Sequence, residues 1–141
     1  MRTGFGCGLA LLACFVCGSA TLVANEAAGP HDWLVKHPTI QELLRLTNEE
    51  RARNGLDALR LNTKMCLAAQ KHAVWMAETG FYQHSDLPWA EVIFQGPLNA
   101  EEAITGWTYS PPHYAVLLSG SEIGFGYTNA GGATHWVGVV K

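Results

Sequence analysis

Basic residues are missing from half of this chain. Between Lys71 and Lys141 there is no Lys or Arg, whereas Glu78, Asp86, Glu91, Glu101, Glu102 and Glu122 all fall in that interval. Such a stretch has little with which to neutralise a phosphate backbone, so its composition argues against nucleic acid as a partner. Charge is scarce overall: 15% of the 141 residues are charged, against about 25% in an ordinary soluble domain. Cysteine is scarcer than its count of four suggests, because Cys7, Cys14 and Cys17 all lie in the first 24 residues. If that segment is removed, only Cys66 remains, no internal disulfide is possible, and core packing alone must hold the domain. Neither His-Glu-x-x-His nor a Gly-x-Ser-x-Gly elbow occurs, so the two commonest local signatures of a hydrolase are absent. The 15 Gly and 6 Pro show no period, and there are no internal repeats or linkers.

Apolar residues make up 48% of the chain, but the excess is local: residues 1–24 hold 16 of them and a single charge, Arg2. One positive charge, an apolar core from about Phe5 to Val23 and small residues beyond it read as a secretory signal, with cleavage after Ala20 or Ala24. An uncleaved anchor and a lipoprotein box at Leu11-Leu12-Ala13-Cys14 are the alternatives. Each leads to a secreted or cell-envelope location, with membrane contact only through an uncleaved or lipidated N-terminus. The remainder has ordinary globular composition and the size of one domain. We divide the chain into a signal or anchor (1–24), an irregular lead-in (25–38) and a domain (39–141).

The domain reads as helices followed by a sheet. Thr39-Ile40-Gln41-Glu42 has the form of a capping box. Ile40, Leu43, Leu44 and Thr47 continue at helical spacing to Gly55, with Glu49, Glu50, Arg51 and Arg53 as a solvated face. Asn62 caps a second helix in which Met65, Ala69, Ala73, Met76 and Ala77 share a side, ending at Gly80. Cys66 on that helix reads as a buried, inert thiol. Asn99 caps a third helix, through Ile104 and Trp107. Ser110-Pro111 reads as cap and first residue of a fourth. From Ile123 the period becomes two, and two runs joined by Asn129-Ala130-Gly131-Gly132 predict an antiparallel hairpin. This order is that of an α+β domain.

Read in order, these pieces resemble the CAP superfamily (cysteine-rich secretory, antigen 5 and pathogenesis-related proteins), in its SCP-like extracellular form. The resemblance covers about residues 40–141. It is carried by Thr47-Asn48-Glu49-Glu50-Arg51, Ala69 with His72-Ala73 and Met76-Ala77, His84-Ser85, and Glu91-Val92-Ile93. Glu101-Glu102-Ala103 with Trp107, Ser110-Pro111-Pro112-His113, Gly124-Phe125-Gly126 and His135-Trp136 complete it. It implies an α-β-α sandwich, with a small antiparallel sheet between helical layers. It also implies a cleft lined by His84, Glu91 and His113. Ser110 stands near the position where many relatives carry a second glutamate, and Val92 replaces an asparagine. The implied function is extracytoplasmic binding of a small apolar ligand such as a lipid, a cell-wall component or a protein.

Two imidazoles brought together can hold a divalent metal such as zinc, but zinc commonly takes three protein ligands. Glu91 is either the third ligand to His84 and His113 or an acceptor that orients one ring; a polar groove without metal is the plainer reading. A metal-dependent hydrolase or peptidase, with Glu91 as base on a metal-bound water, is the rival. A Ser-His-acid triad from Ser85 or Ser110, His113 and Glu91 lacks an activated nucleophile in its usual setting. His72 reads as a satisfied core histidine, and His135 is open to either face of its strand.

Overall fold

The computed structural model describes residues 29–141; the expected signal or anchor lies outside the described residues. Its helices are α1 (Asp32–Lys36), α2 (Pro38–Arg53), α3 (Thr63–Thr79), α4 (Ala100–Thr108) and α5 (Pro111–Leu117). Its strands are β1 (Arg60–Leu61), β2 (Ala90–Gln95), β3 (Glu122–Thr128) and β4 (His135–Val140). No helix among the described residues is long and apolar enough to cross a membrane.

The strands form one sheet in the order β1-β3-β4-β2. The expected hairpin is β3 with β4, in antiparallel register from Ile123 opposite Val140 to Thr128 opposite His135. Strand β2 adds to the far side of β4, also antiparallel, with Glu91 opposite Val139. The sheet is mixed rather than purely antiparallel, because β1 pairs with β3 in parallel over two residues.

Side-chain alternation along the strands builds two apolar layers. Val92, Phe125 and Trp136 pack with Ile40 and Leu43 of α2, Ile104 and Trp107 of α4, and Leu117 of α5. Ile93, Val137 and Val139 face the other way, onto Met65, Ala69, Ala73 and Met76 of α3. The helix-sheet-helix order of the sandwich follows. Helix α3 lies unusually close to β3. A Cβ on Gly124 would stand 2.2 Å from the Met65 carbonyl carbon, and one on Gly126 would stand 2.2 Å from the Gln70 nitrogen. The glycines that alternate with Ile123, Phe125 and Tyr127 therefore let helix backbone rest on strand backbone. Gln70 then satisfies both backbone groups of Tyr127, donating to its carbonyl at 2.8 Å and accepting from its N–H at 3.1 Å.

Several local expectations change. Part of the lead-in is helix α1, and Leu34 on it is buried. The capping box at Thr39 does not form. His37 is the cap of α2, its Nδ1 accepting from the Thr39 N–H, while the Thr39 hydroxyl donates to Tyr127 Oη. Arg51 leaves the solvated face. It is 4% exposed and donates to the carbonyls of Asp57, Leu117, Ser119 and Gly120 at 2.7–3.1 Å, clamping the end of α2 to the α5–β3 connection. The caps at Asn62 and Asn99 form as expected. Cys66 is fully buried, and burial pushes its thiol pKa up.

Candidate functional site

Strand β2 has a partner on one side only, so its outer edge is free to organise what lies beside it. Two side chains converge on the Ile93 carbonyl at that edge: Trp107 Nε1 from α4 and Tyr82 Oη from the loop after α3, each at 3.1 Å. The candidate cleft lies along this strand, between the 80–89 loop and α5.

Glu91 shares a face of β2 with Ile93, the face that looks toward α3. Its carboxylate is only 5% exposed and is fully engaged. Oε1 accepts from the Ser85 N–H at 2.9 Å and pairs with His84 Nδ1 at 2.8 Å, and Oε2 accepts from the Ser85 hydroxyl. Ser85 Oγ in turn accepts from the Leu87 N–H at 3.2 Å. A buried carboxylate needs such donors, and here they come from one loop, so Glu91 sets that loop's shape. Its hold on Nδ1 makes that nitrogen the donor and fixes the orientation of the ring, on a side chain that is 57% exposed.

His113 faces His84 from α5, with ring centroids 6.5 Å apart and planes inclined by 40°. Ser110, expected to cap α5, occupies the cap position but makes no side-chain cap bond. Its hydroxyl instead shares a 2.9 Å hydrogen bond with His113 Nδ1. Burial, and secondly the neighbouring His84, push the His113 pKa below its ordinary value, which keeps the ring neutral. All four sequence-derived residues thus meet, as two hydrogen-bonded pairs facing each other.

The pairing bears on the chemistry. Among the described residues, no three His, Cys, Asp or Glu side chains are gathered as a metal ion would require. Glu91 has turned both oxygens to Ser85 and His84, so the donor set offered across the gap is two imidazoles, one fewer than zinc commonly takes. The carboxylate is bonded to the His84 ring and so orients it. A triad is not continuous either, because the acid holds His84 while the serine hydroxyl holds His113. Of the other histidines, His72 is satisfied but not in the core: it is half-buried, bonded to the Gln83 carbonyl at 2.9 Å and stacked on Trp75. His135 points to the α3 side of the sheet, buried, with Nδ1 unpartnered. Sequence reading missed two contributors, Ser85 as the clasp on Glu91 and Tyr82 on the β2 edge. The adjacency of His84 and Ser85 was the one available signal.

The family model of the cysteine-rich secretory protein family (CAP) matches residues 44–140, an interval that contains both pairs. The chain belongs to this family. Solved structures share the CAP fold. An outer surface protein from Borrelia burgdorferi is 14% identical, with a TM-score of 0.64 over 75% of this chain and 95% of the other. An extracellular SCP-domain protein from Bacillus anthracis is 19% identical, with a TM-score of 0.61 over 72% of this chain. Hookworm platelet inhibitor is 17% identical, with a TM-score of 0.54 over 84% of this chain and 74% of its own. At these identities the likeness is one of fold. The CAP domain here spans 40% of the length of the Bacillus anthracis chain. No curated protein sequence matches significantly.

Proposed function

We propose that this CAP domain is an exported binding module. Its cleft receives a neutral polar group, a hydroxyl or an amide, carried by a cell-wall fragment, a protein or a lipid headgroup. The observation that carries this reading is the commitment of every catalytic candidate to its neighbour: Glu91 to His84 and Ser85, and Ser110 to His113. What faces the gap is a pair of imidazoles, one of them oriented by a buried carboxylate. Two facing imidazoles, one of them the lowered-pKa ring of His113, suit a ligand that both donates and accepts hydrogen bonds. The export signal expected at residues 1–24 supports this reading, as do an extracellular and an outer surface protein among the fold's relatives.

The test is an NMR titration of the imidazole resonances with soluble muropeptides, beside a survey of ester and peptide substrates. The expected result is a shift of the His84 and His113 signals, loss of uptake in His113→Ala, and no turnover by the parent. Turnover that vanishes with Ser110→Ala or Glu91→Gln would overturn the binding reading in favour of a hydrolase.

A further inference from the structure

Tyr82 stands on the same edge of β2 as the cleft. Its hydroxyl is spent, donating to the Ile93 carbonyl at 3.1 Å, so what it can still offer a ligand is its ring, on a residue that is 48% exposed. Tyr82 and His84 belong to one loop, and both are fastened to β2. His84 is held by the Glu91 carboxylate and Tyr82 by the Ile93 carbonyl. Those two anchors are two residues apart on the strand, about 7 Å, a span that one pyranose with its substituents covers.

The surroundings narrow the class of ligand. No Lys or Arg lies in the 80–89 loop, in β2, in α4 or in α5, whereas Asp86, Glu91, Glu101 and Glu102 do. A phosphate headgroup or a carboxylate would enter without a counter-charge. An extended peptide pairing with the outer edge of β2 would need the Ile93 carbonyl, and Trp107 Nε1 and Tyr82 Oη already hold it. The Nδ1 atoms of His84 and His113 are taken by Glu91 and Ser110, which leaves Nε2 of each ring for a ligand. Uncharged hydroxyl and acetamido groups suit two such nitrogens. The C–H face of a sugar suits the electron-rich face of an aromatic ring.

We propose that the cleft takes a neutral glycan of the N-acetylhexosamine class, with a pyranose face on the Tyr82 ring and its hydroxyl or acetamido groups on the two imidazoles. This rests on the binding reading of the cleft and names, among the carriers given there, the sugar of a cell-wall fragment. Tyr82 sets the preference, because neither imidazole distinguishes a sugar hydroxyl from any other.

Titration of the full chain with the N-acetylglucosamine tetramer and, separately, with a sugar-free stem peptide tests it, read by the Tyr82, His84 and His113 ring signals in NMR. The tetramer is expected to shift all three rings and the peptide none. Affinity for the tetramer should fall about tenfold in Tyr82→Ala. Tyr82→Phe, which keeps the ring and loses the bond to Ile93, should bind nearly as the parent does. So should Trp33→Ser, a change to a 59% exposed aromatic on α1. Equal losses in Tyr82→Ala and Tyr82→Phe overturn the proposal, since Tyr82 would then act through its anchor and not its ring. An equal loss in Trp33→Ser does the same. No response to the tetramer also overturns it, and the binding reading falls with it only if muropeptides fail to bind as well.

Discussion

His84 and Glu91 are joined by a 2.8 Å bond from a largely exposed imidazole to a carboxylate that is 5% exposed. The strand supplies the buried partner and the loop the exposed one. Removing the carboxylate should therefore disorganise the loop before it disturbs the sheet. Glu91→Ala is expected to cost about 2 kcal/mol, the range for losing hydrogen bonds to a charged acceptor. It should speed amide exchange from Phe81 to Trp89 and leave β3 and β4 protected, which hydrogen exchange will resolve.

His113 gives the fold a pH dependence of known sign. Its folded pKa lies below the ordinary 6.5, through burial first and repulsion by His84 second. Below pH 6.5 the unfolded state thus binds the proton first. The stability that His113 contributes is complete above 6.5 and is lost as pH falls to its folded pKa. Urea melts across that window should show this slope, and His113→Gln should flatten it.

The contact between α3 and β3 leaves no room for a side chain. Gly126→Ala brings a Cβ to 2.2 Å from backbone nitrogen, which no rotamer change relieves. A loss of about 3 kcal/mol is expected in denaturant melts, at the upper end for overpacking. Gly126→Val should not fold.

Arg51 serves four carbonyls from one buried guanidinium. Arg51→Met leaves those acceptors without partners and should cost about 3 kcal/mol. Arg51→Lys should recover little of it, because an ammonium lacks the planar fork. Thermal melts of the two variants check both statements.

Zinc provides a further test of the cleft. A metal held only by the folded state raises the melting temperature. With Glu91 turned to Ser85 and His84, zinc is expected to leave the melting temperature where it was. A clear rise, absent in the His84→Ala/His113→Ala double variant, would restore the metal site.

Local chemistry along the chain determined a good deal here. The Asn62 and Asn99 caps, the end of α3 at Gly80, the Gly alternation in β3 and its hairpin with β4 are short-range signals, and each appears where the sequence puts it. The order of short motifs also pointed to the CAP fold and to His84, Glu91, Ser110 and His113. Where local signals compete, the sequence is mute. Thr39 and Glu42 have the form of a capping box, yet Tyr127, 88 residues away, takes the Thr39 hydroxyl and His37 caps the helix instead. Arg51 sits among charged neighbours and is nonetheless buried, because three carbonyls of the distant α5–β3 connection join that of Asp57 at its side chain. Strand β2 is as long as β4, but no Gly-rich turn joins it to a neighbouring run, so no hairpin signal marks it. Only the tertiary structure decided the pairing within the cleft, acid to one imidazole and serine hydroxyl to the other. The helical layers set those distances, and a hydrogen bond depends on distances that no spacing along a chain specifies.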